Sequence, residues 1–196
     1  PFPGTRRREW SSPYMSDCLR WRTHVGWAVS TRGERSDGAV AILGIRIDSL
    51  TCDGLIDAAL KMSRSGERRT IAYANVHVMN IAWTDCALRR ILAAVDVVYC
   101  DGQGVVLGAR LLGYRLPERM TGADWIYPFC ERSAATGTPI FLLGSAPGVA
   151  ERAAERLRAR CPALCIAGTH HGYLNDAPEA SAAAIDAVNK ARPDIL

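Results

Sequence analysis

The chain has 196 residues, of which 48% are hydrophobic and 22% are charged, so it is long and apolar enough to bury a core and is not disordered by default. Its formal net charge is +4, and residues 1–40, with seven arginines against four acidic residues, supply +3 of it. The near-neutral remainder argues against a nucleic-acid-binding face, so no nucleic-acid partner is predicted.

Residues 1–38 mix Pro, Gly, Ser, Arg and three tryptophans without periodicity, which predicts a loosely ordered N-terminal extension. From Ala39 onwards the chain alternates between strand-like and helix-like patterns. The predicted elements are a strand over 40–47, a helix over about 55–65, a strand over 70–74, helical pieces over 76–83 and 87–94, a strand over 95–99, a helix over 105–112, a helix from 121 to about 135, a strand over 139–143, a helix over 149–160, a strand over 164–167 and a helix from 176 to about 191. This alternation predicts an α/β fold of Rossmann type, with a mostly parallel sheet and helices on both faces.

The stretch 95–124 carries the strongest chemical signal. Here a β-branched apolar run ends in Asp101, two glycines follow, and a helical pattern is closed by Gly113. Asp101 would therefore lie at the carboxyl end of a strand, which is where open α/β sheets bind ligands. The alternative is that Asp101 only caps the next helix, and the spacing leaves both interpretations open.

Two glycine turns, 101–104 and 144–148, each lie between a predicted strand and a predicted helix. Glycines let the backbone approach a phosphate, and the free amides of a helix start attract anions. Neither turn is a Walker loop, and the first fails the dinucleotide fingerprint because Leu107 stands where the third glycine would be. Together they predict a nucleotide or diphosphate ligand without identifying it.

Two further polar residues stand near these turns. Arg119 precedes a helix start, where it would offset the charge of a diphosphate leaving group, or else form a surface salt bridge with Glu118 or Asp124. Asn75 ends a strand, where its amide would orient a substrate hydroxyl or cap the next helix. The chain contains no Asp-X-Asp pair, so a divalent ion held on a nucleotide sugar by that device is not predicted.

The cysteines predict a reduced protein. Seven are scattered along the chain, several of them inside apolar patterns, which favours free thiols in a cytoplasmic protein over disulfides. Cys161 and Cys165 have no second cysteine pair, and His170 and His171 match zinc spacing poorly, so no metal site is predicted. No apolar run approaches the ~20 residues that cross a bilayer, but peripheral attachment needs no such helix.

Five segments, in the same order and with matching separations, resemble a known family. They are Tyr73–Asn75, Ala94–Val106, Pro117–Asp124, Phe141–Val149 and Gly168–Tyr173. Together they resemble the WecG/TagA/CpsF glycosyltransferase family, glycosyltransferase family 26, along about residues 42–196. The resemblance implies a hexosyltransferase that moves a sugar such as N-acetylmannosamine from a UDP donor to a polyprenyl-diphosphate-linked acceptor in cell-surface polysaccharide synthesis. It also implies inversion of the anomeric centre, no metal, and no cofactor besides the UDP-sugar.

The resemblance implies catalytic roles for two residues. Asp101 falls on the family's proposed general base, which would take the proton of the acceptor hydroxyl, and Arg119 falls on the arginine that would stabilise the departing UDP. Asn75 matches the asparagine of a Thr-x-Asn motif, but Tyr73 stands at the threonine position, so the acceptor does not follow from it. The predicted substrate-binding residues are Tyr73, Asn75, Gly102, Gln103, Thr121, Gly144 and Gly148.

The family continues beyond the segment that matches residues 193–196 with a strand, a Pro-Lys-Gln-Glu segment and a C-terminal appendage that covers the site and contacts the membrane. We therefore expect residues 39–196 to form an α/β core without that part, weakly active or inactive alone, cytoplasmic and peripheral to the inner face of the cell membrane. Two alternatives stay open. One is a nucleotide-binding module without catalysis, and the other is a chain that chiefly forms homo-oligomers through its tryptophans or an uncovered sheet edge.

Overall fold

The computed structural model describes residues 38–174 and 178–196. Within these ranges the strands are β1 (Ala39–Ile42), β2 (Ile45–Asp48), β3 (Ile71–Ala74), β4 (Val97–Cys100), β5 (Ile140–Leu143) and β6 (Ile166–His170). The helices there are α1 (Cys52–Ser63), α2 (Val76–Thr84), α3 (Cys86–Ala94), α4 (Gln103–Leu111), α5 (Gly122–Thr136), α6 (Val149–Arg160) and α7 (Pro178–Ala191). Residues 1–37 of the extension predicted over 1–38, and the helix start predicted at 176, lie outside the described residues.

Two parallel strand pairs confirm the predicted Rossmann-like α/β fold. β3 pairs in parallel with β4, with Tyr73 opposite Tyr99, and β5 pairs in parallel with β6. The chain passes between β3 and β4 through α2 and α3, and between β5 and β6 through α6. Because parallel strands end at the same edge, the residues that follow β3 and β4 are brought together, as are those that follow β5 and β6.

The strand predicted over residues 40–47 is wrong, since this segment is a two-stranded antiparallel hairpin. The chain reverses at Leu43 and Gly44, whose φ angles are 51° and 76°, and Val40 then lies opposite Ile47. A two-residue turn of this kind needs positive φ at both central residues. A single glycine in an otherwise apolar run is a weak signal for it, which is why the pattern suggested one continuous strand.

The hairpin is fixed to the edge of β4 by polar side chains. The Val98 N–H donates to Oδ2 of Asp48 at 2.7 Å. The Arg46 guanidinium donates to the carbonyl oxygens of Val95 and Asp96 at 3.0 and 2.7 Å and pairs with Asp48 at 3.3 Å. Side chains of β2 therefore bond one N–H on the free edge of β4 and two carbonyl groups just before this strand.

One predicted strand near the C-terminal end differs slightly from the structure. The strand predicted over 164–167 is β6, which runs from Ile166 to His170. Ile195 forms a parallel bridge with Ile140, and the Phe141 N–H donates to the Ile195 carbonyl at 2.8 Å. The edge of β5 opposite β6 is thus partly occupied.

The buried apolar side chains form three clusters. The first packs the hairpin onto β3, β4 and α2 to α4, around Val98 and Ile47. The second joins α1, α5, α6, β5 and β6 around Ile56 and Ile140. The third surrounds Met120 at the end of β4, and Trp125 of α5 packs against both the second and third clusters. The two strand pairs therefore share α1 and α5 as common packing partners.

The cysteines only partly match the expectation of free thiols. Among the described residues the free thiols are Cys52, Cys100, Cys130, Cys161 and Cys165. Cys86 is disulfide-bonded, against the prediction. The prediction was wrong here because spacing along a sequence does not show which cysteines meet in space.

No helix in the described ranges is long and apolar enough to span a membrane.

Candidate active site

The ends of β3 and β4 bring Asn75 and Asp101 together. The Asp101 N–H donates to the Ala74 carbonyl at 3.0 Å, which extends the ladder between the two strands by one residue. The Asn75 amide nitrogen Nδ2 then donates to Oδ2 of Asp101 at 3.2 Å, and this contact is partly buried. A carboxylate and an amide are thus held side by side at the edge where α/β sheets bind ligands.

Asn75 also caps α2. Its Oδ1 accepts the Val78 N–H at 2.9 Å, so the amide is oriented by the helix and its Nδ2 faces Asp101. Asp101 itself does not cap α4, since Gly102 occupies the N-cap position and no side-chain cap bond is formed there. The sequence left open whether Asp101 only caps a helix. The geometry argues against this, because Asp101 makes no cap bond and is instead oriented by a neighbouring amide.

Two glycines set the first turn of α4 against the site. Gly102 has a φ of +96°, which lets the chain turn sharply from Asp101 into the helix. Gly104 packs on α2, because a Cβ at this position would lie 2.5 Å from Cγ2 of Val76. The first turns of α2 and α4 therefore approach closely, and the free backbone N–H groups at the start of α4, from Gln103 onwards, lie beside Asp101.

Met120, which lies between Arg119 and Thr121, is hydrogen-bonded to the end of β4. The Met120 N–H donates to the Cys100 carbonyl at 3.1 Å, so the segment before α5 runs past the residue that precedes Asp101. The Arg119 guanidinium, whose side chain is 46% exposed, pairs with Asp124 at 3.2 Å. In this structure Arg119 therefore makes one of the two salt bridges considered from the sequence, while lying at the same edge of the sheet as Asp101.

Two carboxylates hold this segment in place. Oε1 of Glu118 accepts the N–H of Cys52, the first residue of α1. Oδ2 of Asp124 accepts both the hydroxyl and the N–H of Thr121 at 2.8 Å, and the bond from the N–H is part of a capping box at the start of α5. The bonds from the Thr121 hydroxyl and backbone, with a smaller contribution from the Arg119 charge, lower the pKa of Asp124 from its ordinary value.

A row of aromatic rings runs from Tyr73 into the core. The Tyr73 and Tyr99 ring centroids are 6.3 Å apart, those of Tyr99 and Trp125 are 6.2 Å apart, and those of Trp125 and Phe129 are 5.7 Å apart. Tyr73 is the exposed end of this row, and burial raises the pKa of Tyr99. The sequence indicated Tyr99 as a strand residue but contained no signal for its contact with Trp125.

The second predicted phosphate turn lies at the ends of β5 and β6. The Gly144 N–H donates to the His170 carbonyl at 3.0 Å, and the Gly172 N–H donates to the Ser145 carbonyl at 2.8 Å. A Cβ at Gly172 would lie 2.8 Å from the Gly144 Cα, so these two loops touch backbone to backbone. Gly148, with a φ of +80°, occupies the N-cap position of α6. This turn thus leads directly into a helix N-terminus, as an anion site requires.

The described ranges hold no group of three or more His, Cys, Asp or Glu side chains arranged to bind a metal ion. The predicted metal independence stays a prediction.

Comparison with known proteins assigns the chain to a family. A family model for the glycosyl transferase WecG/TagA/CpsF family matches residues 40–196. An N-acetylglucosaminyldiphosphoundecaprenol N-acetyl-beta-D-mannosaminyltransferase of Bacillus spizizenii is 27% identical over 126 residues, which are 64% of this chain and 48% of that protein. The chain thus spans about half the length of this relative. Because the family model covers most of its residues, the chain belongs to the WecG/TagA/CpsF family.

Proposed function

We propose that this chain is the core of an inverting glycosyltransferase that moves an N-acetylmannosamine-like sugar from a UDP donor to a polyprenyl-diphosphate-linked acceptor. The family and the activity for which the Bacillus relative is named support transfer of a sugar to a lipid-linked diphosphate sugar. The observation that carries the proposal is the contact of Asn75 with Asp101 at the carboxyl ends of β3 and β4. In such a pair the amide orients the carboxylate, and the carboxylate can take a proton from a hydroxyl bound at this edge of the sheet.

In this proposal Asp101 is the general base. Its Oδ2 is bonded to Asn75, while its Oδ1 accepts no hydrogen bond from the described part of the chain, so Oδ1 is the oxygen proposed to take the proton. The hydroxyl proton passes to Oδ1 as the hydroxyl oxygen attacks the anomeric carbon. The bond from that carbon to the UDP β-phosphate oxygen breaks, and its electron pair leaves with UDP. Because the attack is a single displacement, the anomeric centre inverts.

Arg119 is proposed to stabilise the departing UDP. Its contacts with the two carboxylate oxygens of Asp124 are 3.2 and 3.3 Å, longer than the ~2.7–2.9 Å of a strong charge-assisted hydrogen bond. A diphosphate, which carries more charge than one carboxylate, would draw the guanidinium away from Asp124. In this proposal the Arg119 guanidinium then pairs with the negative charge that develops on the leaving diphosphate in the transition state.

The remaining predicted binding residues supply backbone and hydroxyl groups. Two kinds of group lie at the same edge of the sheet as Asp101. They are the N–H groups at the start of α4, after Gly102 and Gln103, and the hydroxyl of Thr121. The turn from Gly144 to Gly148 is proposed to hold part of the donor, since α6 begins there without a side-chain cap, although its first N–H, that of Val149, donates to the Ala146 carbonyl at 3.1 Å. No cofactor besides the UDP-sugar and no metal ion is proposed.

The experiment uses the full-length protein that contains this chain, UDP-N-acetylmannosamine, and a short-chain diphosphate-lipid-linked N-acetylglucosamine. We expect UDP release that requires both substrates and persists in EDTA, together with calorimetric binding of UDP. Binding of UDP without release would instead indicate a nucleotide-binding module. Preferential binding of NAD over UDP would contradict the proposal.

A further inference from the structure

The exposed ring of Tyr73 is unusual for its place in the fold. Strands of a parallel sheet are normally covered on both faces, and Ala74, the next residue of β3, is fully buried. Tyr73 is nevertheless 46% exposed, and its hydroxyl makes no hydrogen bond within the described part of the chain. A large flat side chain therefore borders open space at the ligand-binding edge of the sheet.

Tyr73 lies on the same face of the strand pair as the contact between Asn75 and Asp101. Side chains two residues apart in an extended strand share a face and are separated by about 6.5 Å along the chain, and Asn75 is still extended. The register of β4 gives the same result, because Tyr73 is opposite Tyr99 and Asp101 follows Tyr99 by two residues. The Tyr73 ring thus stands next to the carboxylate that is proposed to take the proton.

The Tyr73 ring is supported by the row of aromatic rings behind it. The planes of the Tyr73 and Tyr99 rings are inclined by 51° with their centroids 6.3 Å apart, so Tyr99 does not lie flat on either face of Tyr73. Tyr99 is in turn held by an edge contact with Trp125, at an interplanar angle of 88°. A ring that is supported in this way loses little conformational freedom when a ligand packs on it.

The distance from Asp101 decides which part of a substrate meets this ring. The inference rests on the proposed function, in which Asp101 takes the proton of an acceptor hydroxyl. The sugar ring that carries this hydroxyl is then next to Asp101, whereas the uracil of the donor is separated from the reacting carbon by a ribose and two phosphates. A pyranose ring presents weakly positive C–H groups on its flat sides, and these pack well on the negative face of an aromatic ring.

We propose that the pyranose ring of the acceptor sugar packs on the ring of Tyr73, and that Tyr73 determines affinity for the acceptor rather than for the donor. The flat ring makes this contact and the hydroxyl does not. Asp101 and Tyr73 then act on the same sugar, since Asp101 contacts the reacting hydroxyl while Tyr73 fixes the plane of the ring that carries it.

The kinetic test uses the full-length protein that contains this chain, with UDP-N-acetylmannosamine and the short-chain diphosphate-lipid-linked N-acetylglucosamine. Tyr73→Thr removes the ring but keeps a residue that favours a strand. It should raise the KM for the acceptor about five- to tenfold and leave the KM for the UDP-sugar within about twofold. Tyr73→Phe keeps the ring, so both KM values should stay within about twofold of the wild type.

The matched control is Tyr127→Thr on α5. Tyr127 is also exposed, at 37%, but its ring packs under the Arg160 guanidinium, 4.0 Å from the ring centroid. This variant should leave both KM values unchanged, because Tyr127 lies outside the proposed site.

Saturation-transfer NMR detects the contact without turnover. Irradiation of the aromatic protons of the wild type should transfer saturation mainly to the sugar-ring protons of the short-chain acceptor. Tyr73→Thr should weaken this transfer, whereas Tyr73→Phe and Tyr127→Thr should retain it.

An unchanged acceptor KM in Tyr73→Thr would overturn the inference. A Tyr73→Phe variant that behaves like Tyr73→Thr would also overturn it, because the hydroxyl would then make the contact, and so would a rise in the KM for the UDP-sugar alone. Transfer of saturation to the acceptor sugar that depends on Tyr73, without UDP release by the wild type, would contradict the proposed function and support the inference. A wild type that does not bind the acceptor would contradict both.

Discussion

Replacing Gly104 by alanine tests the close packing of α2 and α4 beside Asp101. The added Cβ would lie 2.5 Å from Cγ2 of Val76, below the 3.0 Å that real Cβ contacts essentially never cross. Overpacking of this kind costs about 1–3 kcal/mol, whereas alanine is favoured over glycine inside a helix by about 0.5–1 kcal/mol. We therefore expect Gly104→Ala to lower the free energy of unfolding by about 0.5–2 kcal/mol.

Gly108, one turn further along α4, is the matched control. A Cβ there would meet no atom within 4 Å, so Gly108→Ala should raise the free energy of unfolding by about 0.5–1 kcal/mol. The two variants, compared by urea unfolding followed by circular dichroism, should differ by about 1–3 kcal/mol.

A double-mutant cycle identifies the atom responsible for the difference. Val76→Ala removes Cγ2 and leaves the Cβ of residue 76, which is 3.9 Å from the new methyl group, so Gly104→Ala should become stabilising in that background. Turnover should fall in Gly104→Ala and recover in the double variant, because Asn75 directly precedes Val76. Equal stability of Gly104→Ala and Gly108→Ala, with no coupling to Val76, would refute the packing described here.

Three further variants or treatments test individual contacts. Asn75→Ser keeps an oxygen that can cap α2 but removes the amide that donates to Asp101. UDP release should therefore fall about tenfold or more, while the thermal midpoint of unfolding stays unchanged. Unaltered release would contradict the role of the amide. Burial raises the pKa of the Cys100 thiol to about 11, so iodoacetamide at about pH 8 should label the exposed Cys165 and spare Cys100 until the protein is unfolded, as read by mass spectrometry. The pKa of Asp124 is lowered in the folded state, so its contribution to stability is present above the ordinary value of 3.8 and is lost as the pH falls through the lowered value. The urea midpoint of the wild type should exceed that of Asp124→Asn at neutral pH and approach it in acid; a constant difference would argue against the capping role.

The sequence predicts much of the fold because several elements carry complete local signals. The helix over 149–160 is predicted with the bounds that the structure shows, since it follows Gly148 and keeps its helical pattern until Cys161. The hairpin of β1 and β2 is missed because its turn at Leu43 and Gly44 interrupts an apolar run for only two residues. Local patterns predict elements well where start and stop residues are strong, and poorly where one glycine is the only signal.

The candidate site is predictable only where topology brings residues together. Asn75 and Asp101 meet because neighbouring parallel strands end at one edge, and alternating strands and helices already predict this. The bond from Cys52 to Glu118 joins residues 66 positions apart, and no periodicity indicates it. The sequence considered Glu118 only as a partner of Arg119, whereas the tertiary structure uses it to hold the Arg119 segment against α1.

The central claim is that Asp101 takes the proton of the acceptor hydroxyl, and Asp101→Asn tests it most directly. Asparagine keeps the size of the side chain and an oxygen for the Asn75 amide but removes the base. Asp85→Asn, at the N-cap of α3, is the matched control because its carboxylate serves only backbone N–H groups in the described structure. In UDP release by the full-length protein, Asp101→Asn should lower kcat by about 10²–10⁴ while calorimetric affinity for UDP and the activity of Asp85→Asn stay unchanged. Wild-type turnover by Asp101→Asn would contradict the account.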